Sequence, residues 1–324
     1  MTSPSYRSSA DSSVSTSIVR PPRLEPGDHV GIAAPSGPVD RNRLMAGIRI
    51  LEGFQLRPVF SESLFQQNIY LAGTDRERAE TLNLYFKNPD IRAIICARGG
   101  YGAMRMLPYL DFERIRQNPR ILVGFSDVTA LLAAVYRRCD LVVFHGPMIA
   151  SLPEISKTSR QSFIQALTSD VPMTVRFSSA KVLHPGNAFG PLFAGNLTTL
   201  SHLLKTPYEP CLDGHILAIE DIHEALYRID RMITQMIMAG YLDNIRGLIL
   251  GRFDHCGDNH ALHRFFLEAF RDRNIPILAE CGIGHGQENV TIPIGVTAVL
   301  STDDRSLTLD ISATLPGKTS AHEL

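Results

Sequence analysis

Tryptophan is absent from all 324 residues, so no indole platform is available for stacking a nucleobase. Cysteine is sparse. The five present, Cys96, Cys139, Cys211, Cys256 and Cys281, are scattered, odd in number and form no CxxC pair. This argues against a disulfide framework and against a cysteine-built zinc site. Neither sign of charge dominates, with 32 Lys and Arg against 33 Asp and Glu. A net charge of −1 leaves no footprint for nucleic acid or an anionic membrane. Long apolar runs are missing too. No signal-peptide core opens the chain, and no uncharged stretch reaches membrane-spanning length. Together these absences point to a cytoplasmic protein in a reducing compartment. Residues 1–22 are rich in Ser and Thr and read as a disordered tail.

What is present is an ordinary soluble composition, 44% hydrophobic and 20% charged, in an alternation of strand-like and helix-like segments. His29 to Ala34 is an apolar run ending in Pro35-Ser36-Gly37. Leu44, Ile48 and Leu51 follow at the spacing of one helix face, closed by Gly53. Ile91 to Ala97, Ile121 to Val123 and Leu141 to Phe144 are three further buried strands, and Val128 to Val135 is a helix between the last two. Such alternation predicts an α/β fold, a parallel sheet in a three-layer N-terminal domain over residues 23–168. Thr168 to Pro191 is dense in Ser, Pro and Gly and reads as a linker, bounded at 169–190. A second, smaller α/β domain is expected over 191–317. Its strands are His215 to Ile219, Gly247 to Leu250, Pro276 to Ala279, Val296 to Leu300 and Ser306 to Ile311. Its helices are Tyr227 to Ala239 and His260 to Phe270.

Chemistry-bearing residues gather at the carboxyl ends of these strands, where open α/β sheets bind ligands. Gly124-Phe125-Ser126-Asp127 falls where a strand gives way to a helix. A serine there can act as a nucleophile with helix amides behind it, although the second glycine of GxSxG is missing. Equally, Ser126 or Asp127 can simply cap the helix. Arg98-Gly99-Gly100-Tyr101-Gly102 follows the neighbouring strand, either as a backbone nest for an anion or as a tight turn. Arg98 and Tyr101 are its candidate substrate contacts. Glu220 ends a strand, as a catalytic acid or as part of a solvated face with Glu224, Arg228 and Asp230. His285 stands between Gly284 and Gly286 in a loop, free to serve as a general base. His145 is the rival base, or a satisfied turn histidine. Asp254-His255-Cys256 with Asp258 and His260 matches no standard zinc spacing, so no metal is expected.

Taken in order, these segments are more specific than any one of them. Gly27-Asp28 with Ala33-Ala34-Pro35-Ser36, Ala97 to Gly102, Gly124 to Thr129 and His145-Gly146-Pro147 come first. Gly195-Asn196-Leu197, Ile219-Glu220-Asp221, Tyr227 to Arg231 and Gly284-His285-Gly286 follow. The series, from about Pro26 to Leu315, resembles the L,D-carboxypeptidase family of serine peptidases, which includes the microcin C self-immunity peptidases. The resemblance implies a two-domain α/β protein with Ser126 as nucleophile and Glu220 and His285 completing a triad. It implies an oxyanion hole at the backbone of Gly100 and Asp127, no cofactor, and a cytoplasmic homodimer. The implied reaction releases terminal D-alanine from murein tetrapeptides, so the implied partner is a small muropeptide. The alternatives are a peptidase of the same family acting on a peptide–nucleotide antibiotic, and a non-catalytic binder of peptidoglycan fragments. The chain departs from the family pattern at Ile222-His223, after the glutamate, and in its Ser-rich N-terminal extension.

Overall fold

The computed structural model describes residues 18–317. Two sheets organise it. The first contains β1 (His29–Ala33), β2 (Arg57–Val59), β3 (Ile91–Cys96), β4 (Ile121–Gly124) and β5 (Val143–His145), all parallel. Strands β3, β4 and β5 are almost wholly buried, as expected of a parallel sheet covered by helices on its faces. Helix α1 (Arg41–Gly53) is capped by the Asp40 side chain, and α2 (Asp75–Lys87) by a Thr74–Glu77 capping box. Short helices α3 (Ala103–Met106) and α4 (Phe112–Gln117) lead to β4. Helix α5 (Thr129–Cys139) leaves that strand through a single 3-10 turn at Ser126–Val128. The spatial order runs β5-β4-β3-β1-β2. The chain therefore reverses direction across the sheet beside β1, and the loops after β1 and β3 open a crevice there. Those loops are joined by Gly37 N–H donating to Gly99 O at 3.2 Å.

After α6 (Lys157–Thr168) come β6 (Thr174–Arg176), β7 (Lys181–His184) and β8 (Asn187–Asn196). The Ser-, Pro- and Gly-rich stretch read as a linker thus carries strands. Its β6 and β7 form the two edges of the second sheet, and the long β8 lies inside it. Pro172 stands before β6 and Pro185-Gly186 between β7 and β8, so turn residues around these short strands gave the whole stretch the composition of a loop. Helix α7 (Leu197–Ser201), β9 (Ile216–Ile222), α8 (Leu226–Met238), β10 (Gly247–Asp254), α9 (Asn259–Ala269) and β11 (Ile277–Ala279) follow. Strands β8, β9, β10 and β11 are parallel.

The next strand, β12 (Ile292–Ile294), leaves this sheet. It pairs antiparallel with β5, placing Ile292 opposite His145, and becomes the far edge of the first sheet. The chain then returns to the second sheet as β13 (Thr297–Ser301) and β14 (Ser306–Leu309). The loop from β11 to β12 is therefore held at one end by each sheet. Buried apolar side chains from both halves form one continuous core. Within the tail expected to be disordered, residues 1–17 lie outside the described residues. Residues 18–22 are placed: Val19 bridges Leu141 and Pro22 bridges Leu315. No described helix is long and apolar enough to cross a membrane.

Candidate active site

Ser126 heads the turn between β4 and α5 with φ of 61°, the left-handed region that costs a non-glycine residue about 1–2 kcal/mol. Gly124 makes the turn possible, since a Cβ there would sit 2.4 Å from Val128 Cγ1. Gly99, on the neighbouring loop, approaches so closely that its own Cβ would lie 3.1 Å from Ser126 Cβ. Gly100 has φ of 120°, so the two glycines bring bare backbone up to the serine. The Asp127 carboxylate turns away and accepts from Ala103 N–H at 2.8 Å. It ties the Ser126 turn to the loop after β3.

Glu220 lies on β9 and is fully buried. Its Oε2 accepts from His285 Nδ1 at 2.6 Å and from the His285 backbone N–H at 3.3 Å. Its Oε1 has no hydrogen-bond partner among the described residues. A buried carboxylate with an unused oxygen costs stability, which speaks against a packing role. Burial by itself would lower the His285 pKa. The hydrogen bond and charge of Glu220, with the charges of Asp221 and Asp254, outweigh it and raise the imidazole above its ordinary 6.5. Asp221 has a different duty. It accepts from Asn196 Nδ2, from Thr198 N–H and Oγ1, and from Ile222 N–H, and so pins α7 to the end of β9.

Gly284 explains the glycine before the histidine. Its φ is 97°, and a Cβ there would fall 2.4 Å from Glu220 Oε2. Gly284→Ala is expected to lower kcat by more than about 100-fold and to destabilise the fold by about 2 kcal/mol or more. Thermal melts beside kinetics check this, and a variant retaining both properties would show that the loop can reposition.

Ser126 and His285 line one cavity of about 760 Å³, together with Arg98, Gly99, Gly100 and Phe125. They are not hydrogen-bonded to each other, as is common in sites awaiting substrate. The His285 ring packs against Phe125 at a tilt of 60°, with centroids 4.9 Å apart. His145 is fully buried, does not line this cavity, and has no partner on either ring nitrogen among the described residues. Burial drives its pKa down to about 4, which keeps it neutral. Tyr101 lies outside the cavity, edge-on to Tyr70 at 5.6 Å. His223 also lies outside, stacked on His255 at 4.9 Å, while its neighbour Ile222 lines the cavity. Asp258 caps α9. No group of three or more metal-ligating side chains converges among the described residues. Sequence reading passed over Arg43, Met148, Glu154 and Asn289, which also line the cavity. Asn289 is buried and holds the histidine loop by accepting from Gly284 N–H at 3.0 Å. No local pattern marks these positions.

A parallel-sheet crevice holding a strained serine, facing a carboxylate-bound histidine from a second sheet, is the arrangement of a hydrolase. The comparisons place it within that class. Residues 30–146 match the LD-carboxypeptidase N-terminal domain and residues 189–300 match its C-terminal domain. The chain belongs to the LD-carboxypeptidase family, peptidase family S66. A Streptomyces coelicolor protein carrying a carboxypeptidase name is 40% identical, covering 90% of this chain and 96% of that one. Murein tetrapeptide carboxypeptidase of Pseudomonas aeruginosa is 32% identical over 84% of this chain and 92% of its own. The solved structure of microcin C7 self-immunity protein MccF, known from Escherichia coli, superposes with a TM-score of 0.84 at 26% identity. It covers 91% of this chain and 99% of that one, and the same protein has been solved with aspartyl sulfamoyl adenosine.

Proposed function

We propose that this protein is a serine carboxypeptidase that hydrolyses the L,D-peptide bond releasing terminal D-alanine from murein tetrapeptides. The observation that carries the proposal is the buried Glu220–His285 hydrogen bond at 2.6 Å, set across one cavity from Ser126. His285 Nε2 takes the Ser126 hydroxyl proton as Oγ bonds to the scissile carbonyl carbon. The carbonyl oxygen becomes an oxyanion held by the Gly100 and Asp127 amides. The C–N bond then breaks, and the imidazolium returns its proton to the departing amine. Water enters by the same route and frees Ser126 from the acyl group. Glu220 keeps the proton of neutral His285 on Nδ1 and stabilises the imidazolium. No metal or organic cofactor is needed for these steps. Arg98, exposed at the cavity wall and donating from Nη1 to Pro38 O at 3.1 Å, is the cation for the substrate's terminal carboxylate. The first domain proposed from the sequence is residues 23–168, and the second, read there as 191–317, is proposed to take in β6, β7 and the start of β8 as well, since these strands belong to its sheet. A cytoplasmic homodimer rests on the family resemblance alone.

The second reading, cleavage of a peptide–nucleotide conjugate, is favoured by the likeness to MccF. Against it, Phe125 is the cavity's only Phe, Tyr or Trp side chain among the described residues, and it lies buried beside His285. No exposed ring waits there for a base to stack on. Parallel assays with a murein tetrapeptide and an aminoacyl sulfamoyl adenosine decide between the two. Release of D-alanine supports the first, and turnover of the sulfamoyl adenosine alone sinks it.

The raised His285 pKa sets the pH dependence. The base must be neutral to accept a proton, and its neutral fraction grows as pH rises through its pKa. The acid limb of kcat/KM is therefore expected above 6.5. A midpoint below about 6 in a pH–rate profile would remove His285 as the base.

A further inference from the structure

Of the two amides proposed for the oxyanion, Gly100 comes from the loop after β3 and Asp127 from the turn after β4. The start of the glycine loop is held by packing. Ala97 O, directly before Arg98, accepts from Ala150 N–H at 3.0 Å. Gly47 of α1 presses on the same segment so closely that a Cβ there would meet Ile149 O at 1.9 Å. The far end of the loop is held by charge. Arg78, on α2, has a side chain only 1% exposed. Its Nη1 donates to Gly102 O at 2.9 Å and to Pro35 O, in the loop after β1. Its Nη2 pairs with Asp75 Oδ1, and Asp75 Oδ2 accepts in turn from Arg105 Nε and Nη2 at 3.1 and 3.0 Å. Gly102 O and Ala103 N–H belong to one peptide group. Arg78 holds its carbonyl, while the Asp127 carboxylate holds its N–H at 2.8 Å.

We infer that Arg78 is a positioning residue for the oxyanion hole. With Asp127 it grips the Gly102–Ala103 peptide from both sides, and so keeps the Gly100 and Asp127 amides aimed at one point beside Ser126. This role rests on the carboxypeptidase reading and names the group that sets the geometry of its oxyanion hole. Gly100 and Gly102 have φ of 120° and 119°, so the chain between them has little steric preference of its own. Its course depends on what holds its ends. Stability alone does not call for a buried cation there. Apolar side chains of similar volume often serve a core as well as a buried ion pair does, and Arg78 Nε has no partner among the described residues. Apolar side chains cannot donate to two carbonyls from different loops at once. The planar guanidinium fork does so in a fixed geometry that the point charge of a lysine does not reproduce. The grip also reaches both donors. Asp127, which holds the N–H of the shared peptide, is the residue whose own amide is proposed to face the oxyanion.

The test uses the murein tetrapeptide beside a tripeptide aldehyde, the same peptide cut back to an aldehyde at the scissile carbonyl. Ser126 Oγ adds to the aldehyde carbon, and the proton that His285 takes from the hydroxyl balances the oxyanion left on the former carbonyl oxygen. Inhibition by the aldehyde therefore reads the oxyanion hole, whereas binding of intact tetrapeptide to Ser126→Ala does not. Arg78→Lys keeps the charge and is expected to lower kcat by about 100-fold, with KM within about threefold of wild type. Aldehyde inhibition should weaken by about the same 100-fold, while tetrapeptide affinity by calorimetry in the Ser126→Ala background stays within about threefold. Asp127→Ala releases the peptide from its other side and should show the same split, and the double variant should lose little more than the worse single one. Three results overturn the inference while leaving the carboxypeptidase reading intact: Arg78→Lys as active as wild type, aldehyde inhibition unchanged despite a lower kcat, or tetrapeptide affinity falling as far as aldehyde affinity. The last would mean that Arg78 only holds the fold together. Should Arg78→Lys fail to fold, Asp127→Ala decides in its place by the same two affinities. If wild type neither cleaves the tetrapeptide nor is inhibited by the aldehyde, the carboxypeptidase reading fails and this role fails with it.

Discussion

Ser126→Ala is expected to reduce D-alanine release by at least about 10⁴-fold while the thermal unfolding profile stays within a few degrees of wild type. The reason lies in two properties of one residue. Its hydroxyl is the nucleophile proposed for the cavity, so alanine removes the covalent step altogether. Its backbone, at φ of 61°, holds a conformation that alanine finds no easier than serine, so the fold is not relieved or further strained. Ser126→Gly separates the two properties. Glycine accepts the left-handed conformation freely, and the net effect is expected to be a gain in stability of about 1 kcal/mol after allowing for the more flexible unfolded chain. Activity would be lost as completely as in the alanine variant. A glycine variant that is less active yet no more stable would show that the turn's strain is not carried by this residue. Residual hydrolysis within about tenfold of wild type in either variant would remove Ser126 as nucleophile.

Glu220→Gln should cost about 10³–10⁴-fold in kcat with little loss of stability. The amide keeps the volume of the carboxylate inside a fully buried site and removes a buried charge. What it removes from the chemistry is the anion that orients His285 Nδ1–H at 2.6 Å and supports the imidazolium. Because Glu220 is also the chief group holding the His285 pKa up against burial, any residual activity should show its acid limb displaced downward. The pH profile of the variant therefore distinguishes an electronic role from a merely structural one. A variant retaining activity within about tenfold, or an acid limb that does not move, would mean that the histidine is positioned by something else.

The fold and the candidate site were legible in the chain to different depths. Strands β1, β3, β4, β9 and β10 were readable because buried parallel strands are continuous apolar runs. Strands β6, β7 and β8 were not, because Pro172, Pro185, Gly186 and Pro191 give that stretch the composition of a loop. The excursion of β12 to the first sheet was equally hidden. Val290 to Gly295 looks apolar from either sheet, and nothing local says which one it joins. Ser126, Glu220 and His285 were each ambiguous alone, since a helix cap, a solvated acid and a loop histidine use the same residues. Only their order along the chain made them specific.

The order of motifs along the whole chain pointed to the family, while residue identity and local spacing determined by themselves the α/β class, the strand–turn–helix setting of Ser126 and the glycines that flank His285. These depend on backbone freedom and hydrophobic period within a few residues. The tertiary structure alone decided that His285 contacts Glu220 while His145 is sealed away neutral, that Tyr101 and His223 stand outside the cavity, and that Arg43 and Glu154 stand inside it. Those outcomes depend on a loop anchored in both sheets and on close backbone approach at Gly47, Gly99 and Gly284. Contacts between residues 65 positions apart are set by packing, which no local window of sequence contains.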